Sequence, residues 1–227
     1  PTDLESGGRW DRGGFLSTLL VNTDHRLGVD AAARALMEVH GVTPGERLMA
    51  SKAEAIAALR RADLGVAEFE EEELARLLAI NYPALLELRT ASDETRIVAL
   101  LDRDGEMIEL GGVGERDSLR VAISALEDHF TGMAWVVWRP YLDIPDLIGD
   151  GERGAGVLWL QEALFRLGYT GVRITGTYDD ATSMGVEEFQ EKHGIRVDGL
   201  AGPFTQMLIY GELQEFAPLR LEKGESG

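Results

Sequence analysis

Seven residues near the end of the chain combine hydrogen-bonding and aromatic side chains with turn-forming glycines. Amide, carboxylate and hydroxyl groups can bind a polar ligand, and an aromatic ring can stack on a flat ligand face. Such residues in the loops of a small scaffold indicate a binding module rather than a catalytic centre. The seven candidates are Tyr178, Gln190, Asp198, Gly199, Gly202, Phe204 and Thr205.

Local structural roles would explain part of the same set. Asp198-Gly199 is a strong turn dipeptide, and Thr205 can bond to nearby backbone. In that interpretation Gln190 is an exposed helix residue or closes the loop, and Asp198 serves only the turn. The two interpretations are compatible, because a loop fixed by internal bonds also presents a constant surface.

A near-repeat relates two of the loops. Three positions of the first loop have counterparts 23 positions later in the second, and both copies lead into a predicted helix. The first copy is Gly176, Asp179 and Thr182, and the second is Gly199, Gly202 and Thr205.

Three short helices are predicted to carry these loops. Apolar residues recur at helical spacing over 156–167. A second helix is predicted over 180–193, with Asp179 or Asp180 binding its first free N–H groups. Pro203 suits the first turn of a third helix. Together these helices predict a compact all-α unit.

The stretch over 154–208 resembles the peptidoglycan-binding domain found beside many cell-wall hydrolases. The shared features are the pairs L-Q, F-Q and D-G and a late G-x-x-T, in order and at matching spacing. The resemblance implies peptidoglycan as the ligand and the seven residues named above as its contacts. The sequence departs from the common pattern at Thr175-Gly176 and Asp179. We therefore expect the second loop, Asp198–Thr205, to contribute more than the first.

The first part of the chain predicts an α+β domain, with helices first and a small antiparallel sheet after them. Residues 1–14 are polar and glycine-rich, which predicts a flexible leader. Helices are predicted over 30–40 with Asp30 as N-cap, over 51–61 with Ser51 as N-cap, and over 67–80 and 119–129. Strands are predicted over 83–88, 96–102, 106–110 and 133–139.

The runs P-A-L-L-E-L, R-I-V-A-L-L and F-T-G-x-x-W-V-V-W-R-P resemble the papain-like peptidase domain of bacteriocin-processing C39 enzymes. The whole tandem is similar to the periplasmic region of the general secretion pathway protein A family, the ExeA-type component of type II secretion. This resemblance implies a degenerate C39-like domain over 15–142, a linker over 143–150, a peptidoglycan-binding-like domain over 151–213 and a tail over 214–227.

Enzyme chemistry finds little support in the sequence. The chain has no cysteine, so the C39 nucleophile, expected near 28–33, is missing. The expected histidine position near 95–97 reads Thr-Arg-Ile. The four histidines lack metal-ligand spacing, and no phosphate-binding G-x-x-x-x-G-K motif occurs. We therefore predict no catalytic residue, no metal and no cofactor, although nothing distinguishes a catalytic pair among the 40 acidic residues.

Charge and resemblance together predict the partners. A net charge of −18 disfavours binding to nucleic acid, because the phosphate backbone is also negatively charged. The resemblance implies a non-catalytic periplasmic protein that holds peptidoglycan during secretin assembly, with an inner-membrane anchor outside this chain. It also implies a GspB-like or secretin-like protein partner and a homo-oligomer. The chain starts at Pro1, so we expect a processed protein or a fragment. The alternatives are a cell-wall-modifying enzyme and a module that binds only proteins.

Overall fold

A computed structural model describes residues 14–70, 73–114, 118–213, 216 and 218–222. Contacts divide the chain into two compact units after Val137, and the segment that begins at Arg220 returns to the first unit. Of the predicted leader, only Gly14 lies within the described residues. Within those residues, every helix falls short of the length and apolar character needed to span a bilayer.

The first unit is built from helices and one sheet. Its described elements are α1 Gly14–Asn22, α2 His25–Val39, α3 Lys52–Arg61, β1 Gly65–Glu70, α4 Leu74–Ile80, β2 Ala84–Arg89, β3 Thr95–Asp104, β4 Met107–Gly111, β5 Ser118–Ala122, α5 Ile123–Glu127 and β6 Phe130–Trp138. The strand order is β1-β6-β2-β3-β4-β5. Strand β2 pairs antiparallel with β3 and β6, and β4 pairs antiparallel with β3 and β5. The predicted α+β class is confirmed.

Helix α2 provides the centre of the first core. Its apolar face, which includes Val29 and Leu36, packs with Leu85 and Val137 of the sheet, and all four side chains are fully buried. Each such side chain contributes about 1.5–3 kcal/mol when it leaves water. Gly112 lets the chain approach this helix closely, because a Cβ atom there would lie 2.6 Å from the carbonyl oxygen of Gly28.

Two predicted helices are wrong over their first four residues. Residues 67–70 belong to strand β1, and residues 119–122 belong to strand β5. Both segments alternate buried and exposed residues, with Ala67 and Phe69 buried in β1 and Leu119 and Val121 buried in β5. That period of two belongs to a strand, and the sheet decides it by pairing.

The predicted N-cap of α2 is also wrong. The N-cap lies six residues earlier, at Asp24, whose carboxylate accepts the N–H groups of Arg26 at 2.9 Å and Leu27 at 3.0 Å. Asp30 lies inside the helix, where it pairs with Arg34 at 2.6 Å and accepts the N–H of Met49. Ser51 does cap α3, as predicted, by accepting the N–H of Glu54.

The second unit contains three helices among the described residues: α6 Ala155–Arg166, α7 Asp180–Lys192 and α8 Pro203–Glu212. All three lie where the sequence predicted them. Their core is formed by Leu160, Leu164, Val186, Phe189 and Ile209, all fully buried.

The structure divides the chain differently from the expected boundaries. Within the expected linker 143–150, Ile148 is fully buried in the core of the second unit and forms a bridge with Ala201. Within the expected tail, Leu221 is fully buried in the first unit, where its N–H donates to Asn81 O and its carbonyl accepts from Arg103 N. Both segments pack against a core because each carries an apolar side chain that needs burial.

Candidate functional site

Gln190 holds the second loop from inside. Its Nε2 donates to Asp198 Oδ1 at 3.0 Å, Leu200 O at 2.9 Å and Thr205 Oγ1 at 3.1 Å. Its Oε1 accepts the N–H groups of Asp198 and Gly199, both at 3.0 Å. The side chain is only 2% exposed. An amide offers two N–H groups and two lone pairs, so one N–H is shared between two of the three acceptors and the loop uses the whole bonding capacity of the side chain.

The loop that Gln190 closes is further fixed at Asp198 and Gly199. Asp198 Oδ1 also accepts the N–H of Leu200 at 3.0 Å, which makes a tight turn. Gly199 has a φ of +66°, and a Cβ atom there would lie 2.5 Å from Ser183 Oγ. Only glycine fits this position without strain.

Gln161 holds the first loop in the same way. Its Nε2 donates to Thr177 O and Thr182 Oγ1, both at 2.9 Å, and to Thr175 Oγ1 at 3.4 Å. Its Oε1 accepts the N–H groups of Thr175 and Gly176, both at 2.9 Å. The two loops are therefore copies of one device, which we call the glutamine clamp.

The departures of the first loop from the common pattern leave its clamp intact. Thr175 stands where the second loop has Asp198, and its hydroxyl accepts the N–H of Thr177 at 3.3 Å, as Asp198 does for Leu200. Asp179 stands where the second loop has Gly202. Its carboxylate caps α7 by accepting Thr182 N at 3.0 Å and Thr182 Oγ1 at 2.7 Å. These hydrogen bonds lower the pKa of Asp179.

Tyr178 joins the two loops. It is buried, and its hydroxyl donates a hydrogen bond to the carbonyl oxygen of Gly199. Burial, together with the negative charge of Asp198, raises the pKa of Tyr178 well above its usual range. The expectation that Tyr178 offers a stacking surface is therefore corrected, because the ring belongs to the core of the module.

The seven predicted site residues lie close together, but they divide into two groups. Tyr178, Gln190, Gly199 and Thr205 are buried, and the described polar atoms of their side chains bond within the module. They support the loop, so direct ligand contact from the side chains of Tyr178, Gln190 and Thr205 is corrected to a positioning role. Asp198, Gly202 and Phe204 remain accessible to solvent.

Sequence reasoning missed two further buried amides. One is Gln161 of the first clamp. The other is Gln206, which is 1% exposed and donates to Pro145 O at 2.9 Å, Asp146 O at 3.2 Å and Ala201 O at 3.0 Å. The signal for the clamps lies in the pairs L-Q and F-Q, where an amide directly follows a core residue at Leu160 and Phe189.

The first unit brings together the two places where a C39-type nucleophile and base were expected. A Cβ atom on Gly28 would lie 4.0 Å from Ile97 O and 2.8 Å from Thr23 Cγ2. Arg96 Nε donates to Thr23 O at 3.1 Å, and Thr23 Oγ1 accepts the N–H of Gly114 at 2.8 Å. Structural bonds thus occupy this position. Across the described part of the chain, no three metal-ligating side chains cluster.

Comparison with known sequences supports both resemblances that the sequence motifs indicated. The family of putative peptidoglycan binding domains matches residues 153–209. The chain is 27% identical over 139 residues to general secretion pathway protein A of Aeromonas hydrophila, which covers 61% of this chain. The matched part spans 25% of that relative's length.

Solved structures give weaker similarities. A periplasmic domain of the EpsAB fusion protein of the Vibrio vulnificus type II secretion system is 17% identical, with a TM-score of 0.45 over 85% of this chain and 81% of that chain. The peptidase domain of Streptococcus ComA is 8% identical, with a TM-score of 0.43 over 52% and 94%. The SleB N-terminal domain is 34% identical, with a TM-score of 0.28 over 29% and 89%.

Residues 153–209 therefore match the putative peptidoglycan binding domain family, and the chain is similar to general secretion pathway protein A, as its motifs predicted.

Proposed function

We propose that the second unit binds peptidoglycan and holds this chain to the cell wall as the non-catalytic periplasmic part of a type II secretion assembly protein. The observation that carries the proposal is the pair of glutamine clamps, built on Gln161 and Gln190, inside the stretch that matches the family. The clamps turn two surface loops into fixed elements of the module.

Fixed loops suit the recognition of a polar polymer. Binding normally costs about 0.5–1.5 kcal/mol for each flexible side chain that becomes ordered, and more for a mobile loop. Here the loop backbone is already ordered by Gln190, Thr205 and Tyr178. The proposed contacts are then Asp198 and the backbone of Gly202 for polar groups, and Phe204 for a flat face.

The proposed role gives the first unit no cysteine-peptidase activity. A C39-type reaction requires a thiolate, and the sequence contains no cysteine. At the corresponding place, Thr23 and Arg96 bond to each other and to the neighbouring loop. We propose that this unit serves as a scaffold and as a surface for a secretion-system protein or a second copy of the chain.

The similarity to general secretion pathway protein A supports the rest of the proposal. The rest of the proposal comprises a periplasmic location, an inner-membrane anchor outside this chain, and attachment to peptidoglycan while the secretin is assembled. The alternative functions are a wall-modifying enzyme and a module that binds only proteins.

Co-sedimentation with purified sacculi tests the proposal. We expect the 227-residue chain to sediment with sacculi. Phe204→Ala should weaken retention, whereas Phe165→Ala should not, because Phe165 is a 48% exposed phenylalanine on α6 outside both loops. A chain that stays in the supernatant would contradict peptidoglycan binding and favour a protein-only role. Release of soluble muropeptides would instead support the enzyme alternative.

A further inference from the structure

Each of the two clamped loops carries an exposed arginine followed by an exposed aliphatic side chain. Arg173 and Ile174 precede the first clamp, and Arg196 and Val197 precede the second at the same spacing of 23 positions. Ile174 is 48% exposed and Val197 is 53% exposed, and the Arg196 side chain is 88% exposed. Arg173 is also exposed. The repeat therefore extends to the outer surface of the loops.

Each pair is attached to a rigid support. The next residue along the chain is Thr175 in one loop and Asp198 in the other, and its N–H donates to the clamping glutamine. The bond between Tyr178 and Gly199 then fixes one loop relative to the other. When a ligand covers an aliphatic side chain that is exposed to water on such a rigid loop, the burial of apolar surface stabilises the complex.

The chemistry of the pair favours a carboxylate beside a methyl group. Guanidinium binds a carboxylate through two parallel N–H bonds, which an ammonium group cannot reproduce. Arg196 lies 3.6 Å from Asp198 Oδ2, but this pair is on the surface and is worth little. Five N–H donors leave the guanidinium free to bind a second acceptor.

We propose that Arg173–Ile174 and Arg196–Val197 form two equivalent subsites for the stem peptides of peptidoglycan. In each subsite the arginine binds a stem-peptide carboxylate, and the aliphatic side chain covers an alanine methyl group. The inference rests on the proposed function and deepens it. It assigns recognition to the peptide rather than the glycan, and it gives the first loop the same part as the second.

Because peptidoglycan carries many stem peptides, the two subsites of one module can bind two of them at the same time. Loss of one subsite leaves the other bound, so a single variant should lose about 3–10-fold in affinity for sacculi. Loss of both subsites should lower the affinity for sacculi about 30-fold or more, because neither subsite then holds the other close to the polymer.

Sacculus binding by Arg173→Ala, Arg196→Ala and the double variant tests the inference. Arg166→Ala is the matched control, because Arg166 is exposed at the end of α6 and the change in charge is the same. Arg→Lys at both subsites keeps the charge but loses the two parallel bonds, so it should recover only part of the affinity. Thermal unfolding of each variant should match that of the original chain, because the side chains are exposed.

A second substrate separates the peptide from the glycan. Amidase treatment releases the glycan strands free of stem peptides, and these strands, immobilised on beads, should not retain the original chain. Equal binding to immobilised glycan strands with and without their stem peptides would overturn this inference, and so would wild-type affinity of the double arginine variant. In both cases the chain still binds peptidoglycan and the proposed function stands. Failure of the original chain to bind intact sacculi would overturn both.

Discussion

The hydroxyl group of Tyr178 donates a hydrogen bond to the carbonyl oxygen of Gly199, and this contact joins two loops that glutamine clamps hold separately. Tyr178 begins the return from the first loop into α7, and Gly199 is the turn of the second loop. The two loops therefore act as one element, although 21 residues separate the bonded groups.

Tyr178→Phe should destabilise the second unit. The change leaves the Gly199 carbonyl without this buried donor, which costs about 1–3 kcal/mol. Urea unfolding followed by far-ultraviolet circular dichroism measures the free energy. Tyr169→Phe is the control, because the Tyr169 hydroxyl has no hydrogen-bond partner among the described residues. Equal losses in the two variants would contradict the role given to the Tyr178 bond.

Gln161→Ala and Gln190→Ala should each destabilise the module by about 2–4 kcal/mol. Each change strands two backbone N–H groups that have no other described acceptor close by, and each such loss costs about 1–3 kcal/mol before relaxation and water entry. Thermal unfolding gives the loss of stability. Hydrogen exchange gives its location, since Thr175 and Gly176 should lose protection in one variant, and Asp198 and Gly199 in the other. Unchanged protection would show that the amides are not the clamps.

Asp179 should contribute stability that depends on pH. Hydrogen bonds from Thr182 lower the pKa of Asp179 in the folded chain. A lowered carboxyl pKa stabilises the fold above the unfolded value, near 3.8, and this contribution is lost as the pH falls through the folded pKa. Asp179→Ala should cost about 1 kcal/mol at pH 7, as for other N-caps.

Asp179→Asn keeps an oxygen atom that can cap the helix but removes the negative charge of the carboxylate. Asparagine caps helices about as well as aspartate, so stability at pH 7 should change little. The variant should lose less stability than the original chain between pH 5 and pH 3. Parallel pH profiles for the two proteins would contradict the assignment.

His193 should weaken the fold as the solution becomes acidic. Burial lowers the pKa of His193, and the nearby Glu212 carboxylate, 3.0 Å away, opposes this in part, while Lys192 adds to it. The unfolded chain therefore binds more protons, so stability falls as the pH drops through about 6.5. Glu212→Gln should lower the pKa of His193 further, which nuclear magnetic resonance titration of the ring can follow. A rise of that pKa in the variant would reverse the assignment.

The sequence determined the helices of the second unit because their signals are local. Apolar spacing placed α6 and α7, Gly168 and Gly194 adopt φ values of +100° and +64° just beyond their ends, and Pro203 starts α8. The same reasoning mistook the last four residues of β1 and the last four residues of β5 for the starts of helices. Short apolar segments allow either form, and only pairing within the sheet selects the strand.

Only the tertiary structure decided the roles of the predicted site residues. Helical spacing placed Phe189 in the core, but it could not show that Gln190 is buried beside it. A buried amide is tolerated only when its hydrogen bonds are satisfied, and the partners of Gln190 lie 8 to 15 residues further along the chain. The sequence by itself thus named the loops and their polar residues. Folding decided which of those residues are enclosed as supports and which remain at the surface, because satisfying buried polar groups requires contacts that no local pattern encodes.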